Sequence, residues 1–497
     1  MEFWKNLYNE LLKREKNNHP LDLKSCVYIC ELINKYKIKN ILEIGTGLGF
    51  SSYFFAKNSF VEEIDTIEKN KEYFSYAQEL DDTHKINYIN LDLFEYRTDK
   101  KYDLIFIDGP KRNQDKILEH VSEFLSNSGL IVIDNIFLNR VKEKNNKQSK
   151  KILLHHDRFL KYLNNNSMFD VKYIDIDDGL AILKRKNMKI AVTCCNLELG
   201  INLAIKKIDN IIVGLRDFSC RFNNYFDFEE IEQLIESKQE SKITVCINDI
   251  FFEESIPKLE NAIKRLVALK VDCIMFHDFA VAQIVKENNF DIELHYNPET
   301  LVTSYGQFEF YLKNNIKNVS IASELTMSEL KKIHENKQNM TTYIKAYGLG
   351  FVMHSRWPMV SNFREHISSE TNIYSKKFNN IEYLLIKEDL RVMPNILYED
   401  KYGTHMLTGY YICGIKKINE FKTMNVDYLL IDAFFIHDIE LYTIIDKFVN
   451  ANKNNLSNEE LENYFNEIEK NAEHKISEGF FGSIQDRLHM LKEEKNE

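Results

Sequence analysis

The sequence predicts an α/β protein of two units: a mainly parallel sheet with helices on both faces, followed by a (β/α) barrel-like unit. Three observations predict it. Continuous apolar runs alternate with helical periods from residue 40 onward, a glycine-rich turn directly follows the first run, and the strand–helix alternation restarts near residue 186. A chain of 497 residues exceeds one hydrophobic core. With 44% hydrophobic and 28% charged residues, 33 Phe and 26 Tyr, it is neither disordered nor fibrous. Only 6 Pro and 16 Gly occur, so a glycine cluster is informative here.

The opening MEFWKNLYNELLKREKNNHP is charged and helix-like, without an apolar leader, and no uninterrupted apolar run approaches membrane-spanning length. A cytoplasmic protein with no membrane contact is expected. The first-unit strands are NILEI at 40–44, EIDTIE at 63–68, INYINL at 86–91, YDLIFID at 102–108 and LIVID at 130–134. Continuous apolar strands separated by helices indicate a parallel sheet buried on both faces. In LKRKNMKIAVTCC one strand (AILK) closes, a polar joint follows at 185–189, and another strand opens, which sets the domains at 1–187 and 188–497. Further strands are expected to begin near 190, 210, 243, 273, 293, 318 and 341, each followed by a helix, with an eighth near 428. Seven or eight such units close into a barrel. The gap before the last contains Tyr347 to Phe363 and Pro394 to Gly409, too much chain for a connection, so an insertion carrying function is expected there.

Cysteines at 26, 30, 194, 195, 220, 246, 273 and 413 form no C-x-x-C, which argues against a disulfide framework or an ordinary zinc site. Net charge is −11, but residues 1–188 hold 30 Lys+Arg against 29 Asp+Glu while the rest hold 35 against 47. An anionic partner therefore needs a local basic patch. Residues 140–158 offer one, with seven Lys+Arg, among them Arg140, Lys150 and Lys151, against two acids. A solvated lysine-rich loop would look the same.

NILEI runs into Gly45-Thr46-Gly47-Leu48-Gly49 and then a helix start, a turn that lets a ligand approach backbone and free amides. A plain tight turn is the alternative. Glu68 ends the next strand, where a carboxylate can accept ribose hydroxyls, and Asp92 follows the third strand near an adenine edge; either could be a solvated strand-end carboxylate.

LEIGTGLGFSS, TIEKN, FIDGPK, LIVIDNIF and DGLAILK, in that order over about residues 1 to 186, resemble the class I O-methyltransferases of the catechol type, a cation-dependent family using S-adenosylmethionine on a Rossmann-like fold. The resemblance implies S-adenosylmethionine seated by Glu43, Gly45, Thr46, Gly47, Gly49, Ser51, Glu68, Asp92 and Asp108. It implies Mg2+ held by Asp108, Asp134 and Asn135, with Lys111 as general base. Arg112, next in the chain, is a further candidate for substrate or RNA. Where family members show FIDAAK this chain has Gly109 and Pro110, leaving the spacing intact. Oxygen ligands of this kind suit an octahedral Mg2+ with open positions. Strand-end caps and a loop lysine are the plainer alternative.

From 189 to about 488, FHDFAV, LHYNPET, ASELTMSEL, KAYGLGFVMHSRWPMVSNF, MPNILYEDKYGTHMLTGYYIC, LLIDAFF and SEGFFG resemble the collagenase-like peptidase family U32, most closely its tRNA uridine hydroxylation branch. Cluster-bearing members place cysteines in the segment matching 347–363, where this chain has Phe351 and Trp357, so no Fe–S cluster is expected on it. No nucleophile–base pair supports peptidase activity. His295, Glu299, Glu324, His354, Arg356, Glu399 and Asp400 are expected at strand ends or in the insertion, with His295, Glu299, Arg356 and Glu399 as candidates for substrate or RNA.

Together the resemblances imply a tRNA wobble-uridine modification protein. Its first unit would methylate 5-hydroxyuridine to 5-methoxyuridine with S-adenosylmethionine and Mg2+, and its second would be a hydroxylation subunit or tRNA platform. Expected partners are tRNA, a cluster-bearing paralogous subunit and a second copy through the methyltransferase unit. A methyltransferase of small catechol-like molecules with a docking barrel, or a non-catalytic RNA-binding scaffold, are the alternatives.

Overall fold

The computed structural model describes residues 2–14, 20–109, 113–138, 147–164, 166, 168–186, 188–366, 375–387, 393–454 and 456–483. Residues 1–186 and 187–497 form two compact units.

The first unit is one seven-stranded sheet: β1 (Asn40–Ile44), β2 (Glu63–Ile67), β3 (Ile86–Ile89), β4 (Tyr102–Ile107), β5 (Leu125–Asp134), β6 (Phe169–Ile174) and β7 (Leu180–Arg185), in the order β3-β2-β1-β4-β5-β7-β6. Pairing is parallel except at β7, which runs antiparallel to both β5 and β6. Successive residues of a strand feed opposite faces. Leu42, Ile105 and Ile131 pack on one side with Leu118 and Phe159, while Ile41, Leu104 and Leu130 pack on the other with Ile29, Ile33 and Phe55. The continuous apolar character of β1, β4 and β5 follows from this double burial.

In the second unit β8 (Lys189–Cys194), β9 (Asn210–Gly214), β10 (Lys242–Ile247), β11 (Cys273–Phe276), β12 (Glu293–Tyr296), β13 (Asn318–Ile321), β14 (Thr341–Ser355) and, later in the chain, β19 (Tyr428–Ile431) pair in parallel. β19 pairs back onto β8, closing an eight-stranded barrel. Each strand begins within one residue of its expected start. Ala191, Ile212, Met275, Tyr343, Tyr428 and Leu430 fill the interior.

The insertion is an antiparallel sheet. β14 runs out of the barrel and pairs with β18 (Gly403–Cys413) through register shifts around Phe351. β17 (Asn395–Asp400), β16 (Ile381–Ile386) and β15 (Ser375–Phe378) continue it, and β20 (Ile476–Ser477) adds to β18 on its far side. The long outrun of β14 carries this sheet to the end of the barrel where the parallel strands finish.

One expected site residue moves. His295 is not at the mouth but inside the barrel, fully buried, with Nε2 2.9 Å from Ser320 Oγ and its ring 4.1 Å from that of Tyr343. Strand alternation turns it inward, and burial pushes its imidazole well below the ordinary range, so it is a neutral packing residue.

Candidate functional site

In the first unit the expected residues gather along the C-terminal edge of the sheet. Gly45 has φ +96° and lies so close to the next strand end that a Cβ there would stand 2.4 Å from the Asp108 carbonyl oxygen. Only glycine fits. Beneath the turn, Glu43 is fully buried and accepts from Ser51 Oγ (2.5 Å), Thr66 Oγ1 (2.6 Å) and Ser52 Oγ. Burial raises its carboxyl to about 7, against the lowering effect of the three hydroxyls. Thr46 Oγ1 is 2.7 Å from Thr66 Oγ1. Glu43, Ser51 and Thr46, expected at the cofactor, thus direct their side chains into the scaffold and shape the turn from below.

Glu68 accepts from the Gly47 amide at 3.0 Å and the Asn70 amide at 2.7 Å, so this carboxylate sits directly against the glycine turn. Asp92 accepts from Lys69 Nζ (2.7 Å) and the Phe94 amide (3.0 Å), and the lysine holds its carboxyl below the usual range.

Asp108 and Asp134 are neighbours by register. β4 and β5 pair in parallel with Ile107 opposite Ile133, and each aspartate is the next residue. Adjacent strands stand about 4.8 Å apart, so both carboxyl groups leave the same point of the edge. Asp134 is 6% exposed and accepts from Asn135 Nδ2 at 2.5 Å, while Asn135 turns the chain at φ +57°. Two carboxylates and an amide oxygen are hard donors and fit a divalent cation of the Mg2+ type. No group of three or more His, Cys, Asp or Glu among the described residues is arranged for a metal ion. Lys111, Arg112 and Arg140 lie outside the described residues; Lys150 and Lys151 lie in the helix Lys147–Asn164.

Sequence reasoning missed His156. It is buried, with Nε2 2.7 Å from the Ile136 carbonyl and Nδ1 3.4 Å from Gln114 Oε1. It therefore ties the Asp134–Asn135 turn to the helix Gln114–Ser122 that follows the Asp108 loop. Its signal was helical spacing, since His156, Phe159 and Leu163 share one buried face. The turn is also held by the Ile136 amide on the Gly179 carbonyl (3.0 Å) and the Phe137 amide on the Asp178 carbonyl (2.8 Å).

The second unit has a cavity at the barrel mouth, lined in part by Thr193, Arg221, Asn297, Glu299, Lys345 and Asp432. Arg221 donates to Glu299 Oε1 through Nη2 (2.9 Å) and Nε (3.2 Å), and lies 5.0 Å over the Phe351 ring. Both partners adopt left-handed backbone, Arg221 at φ +63° and Glu299 at φ +64°. Non-glycine residues held this way need the surroundings to over-determine them. Lys345 Nζ donates to Asp432 Oδ2 at 3.0 Å and to the Leu349 carbonyl at 2.9 Å. Against the desolvation that works the other way, the opposite charges keep Glu299 below and Lys345 above their ordinary values, so both stay ionised. Arg221, Lys345 and Asp432 were not singled out from sequence.

The remaining candidates surround this mouth or support it. His405 Nε2 is 3.1 Å from Asp400 Oδ1, and its ring stacks between His354 (4.6 Å) and Tyr398 (4.7 Å). Arg356 lies 4.0 Å over the Phe252 ring. Glu399 accepts from the Val360 and Ser361 amides at 2.9 and 3.2 Å, so it caps the helix Met359–His366 and its expected substrate role gives way to that. Glu324 is exposed.

The family model of peptidase family U32 matches residues 196–491, more than half of the chain. The chain belongs to peptidase family U32. Its first unit, residues 2–186, matches the O-methyltransferase family model, so this U32 protein is fused to an O-methyltransferase domain. Over 224 residues the U32 chain is 26% identical to tRNA hydroxylation protein P2 of Bacillus subtilis, covering 45% of this chain and 72% of that one. It is 27% identical over 131 residues to an uncharacterized protease of Methanocaldococcus jannaschii, covering 26% of this chain and 31% of that one. Among solved structures, an O-methyltransferase from Bacillus cereus in complex with SAH aligns at 18% identity and TM-score 0.33, covering 37% of this chain and 91% of that one. The U32 mouth does contain a thiol, Cys246, but burial pushes it well above its ordinary value, the opposite of what a cysteine nucleophile needs. No helix of the described residues is long and apolar enough to cross a membrane.

Proposed function

We infer that this protein modifies the wobble uridine of tRNA. Its methyltransferase unit moves a methyl group from S-adenosylmethionine to the 5-oxygen of 5-hydroxyuridine in a Mg2+-dependent reaction, and its U32 barrel serves as a hydroxylation subunit or a tRNA platform. The observation that carries this reading is the joining, in one chain, of an O-methyltransferase domain and a relative of a tRNA hydroxylation protein. Installing a hydroxyl and then alkylating it are consecutive reactions.

The residues have distinct tasks. The Gly45–Gly49 turn, free of side chains at its three glycines, lets the donor approach the backbone closely, with Glu68 for the ribose hydroxyls and Asp92 toward the adenine. Asp108, Asp134 and Asn135 would hold the cation, which when bound supplies a Lewis acid that eases loss of the acceptor proton. In 5-hydroxyuracil the hydroxyl adjoins the 4-carbonyl oxygen, so the base presents two oxygens much as a catechol does. Lys111 takes the proton, the oxygen gains the methyl group, and the donor leaves with the sulfur electron pair as S-adenosylhomocysteine. The Lys150 and Lys151 helix is the basic patch for the tRNA backbone, and a second copy and a cluster-bearing paralogous subunit are the protein partners.

Purified full-length protein should transfer radiolabelled methyl from S-adenosylmethionine to hydroxylated tRNA, and EDTA should stop it. Transfer to catechols with none to tRNA would assign the domain to small molecules. Absence of product on both would leave an RNA-binding scaffold.

A further inference from the structure

The rim of the barrel mouth is unlike the rest of the surface. Trp357, one of two tryptophans in the chain, is 72% exposed, and Ile250, Phe252, Val352 and Met359 are exposed with it. These residues come from the loop after β10 and from the outrun of β14 with the helix that follows. The Arg356 guanidinium, flat enough to lie 4.0 Å from the Phe252 ring centre, joins the two segments. Exposed aromatic rings and a guanidinium already stacked on one of them are prepared to receive another planar group.

The cavity below has the complementary character. Its cations are already matched, Arg221 by Glu299 and Lys345 by Asp432. An entering anion would have to displace a carboxylate and leave it unpaired in a site of low polarity. An uncharged ring meets no such penalty. The mouth itself, between Phe222, Met275, Phe434 and Asn297, holds only about 40 Å³, so such a ring stacks over it and does not enter.

We propose that this lip binds an unpaired RNA strand through its bases, stacked at Arg356, Phe252 and Trp357 above the mouth, with the phosphates left in solvent. The choice of RNA among planar ligands rests on the tRNA reading above. The charge of the second unit, 35 Lys+Arg against 47 Asp+Glu from residue 189 onward, explains why stacking and not phosphate attraction carries the contact.

Tryptophan emission reads this directly. In full-length Trp4→Phe protein, Trp357 is the sole tryptophan, and a short oligouridylate should quench it while polyphosphate of matched charge should not. The complementary Trp357→Phe chain should show no quenching. Affinity should fall less than about tenfold between about 50 and 200 mM salt, because few phosphates are neutralised. Arg356→Ala and Phe252→Ala should each weaken binding about tenfold. Absence of quenching, equal quenching by polyphosphate, a steeper salt dependence, or unchanged affinity in Arg356→Ala would overturn the proposal. So would a concentration-dependent blue shift of Trp357 without RNA, which would give the lip to a second copy of the chain. Methyl transfer to hydroxylated tRNA, assayed in parallel, separates the two readings: transfer without quenching removes the lip alone, and quenching without transfer removes the methylation reading alone.

Discussion

Glu43 is a carboxyl group held in a place that favours its neutral form. Its folded value of about 7 exceeds the ordinary carboxylate value because burial outweighs the Ser51, Ser52 and Thr66 hydroxyls. Its contribution to stability is therefore complete below the unfolded value, near pH 4.5, and is lost as pH rises through about 7. The size is on the order of 3 kcal/mol. Thermal melts of Glu43→Gln protein should lose most of this fall between pH 4.5 and 7 while the parent keeps it. A different residue effect belongs to Gly45. Gly45→Ala sets a methyl group against the Asp108 carbonyl in a left-handed conformation, and should cost about 2 kcal/mol or more and abolish donor binding, measured by calorimetry. Asp108 and Asp134 could be read from sequence because each directly ends an apolar run. Arg221 and Lys345 could not, since their partners lie 78 and 87 residues away and nothing local marks a loop arginine or a strand lysine as charged-pair members.

At the scale of elements, what the sequence revealed was what burial on both faces imposes. The barrel strands β8 to β13 and β19, and the first half of β14, are short apolar runs, and their starts were visible for that reason. β6 was not, because FDVKYI is an edge strand with a half-exposed face and reads as mixed. The sheet β15 to β18 was seen only as surplus chain, since antiparallel strands with one wet face alternate too weakly to be told from loops. Two elements have specific consequences. The helix Lys147–Asn164 pins the Asp134–Asn135 turn through His156; if that turn holds Mg2+ as proposed, His156→Phe should raise the Mg2+ concentration that methyl transfer needs about tenfold while leaving S-adenosylmethionine affinity unchanged. A purely structural loss would lower both together. The helix Met359–His366 depends on Glu399 for its first amides, and Glu399→Ala should speed amide exchange at Val360 and Ser361 about five- to tenfold, as removal of a cap costs about 1 kcal/mol. Because that helix carries the Met359 side of the lip, the same variant should also weaken oligouridylate quenching of Trp357.

For the whole molecule, net charge distinguishes the two units. Residues 1–188 are nearly neutral overall, with seven of their 30 Lys+Arg between 140 and 158, whereas the remainder is strongly acidic. A tRNA held by both would owe its salt-sensitive binding to the first unit and its base contacts to the second. Dividing the chain between residues 187 and 188 tests this, because each half has its own hydrophobic cores and its own complete sheet. The isolated methyltransferase half should methylate free 5-hydroxyuridine with the same KM as the full chain, since a small acceptor needs only the sheet edge. Its KM for hydroxylated tRNA should rise about tenfold or more through loss of the stacking contacts, while kcat stays the same. The isolated barrel should bind oligouridylate with little salt dependence. Equal KM values for tRNA with and without the barrel would mean that the second unit contributes nothing to holding the substrate, and its presence on the chain would then have to be explained by a reaction of its own.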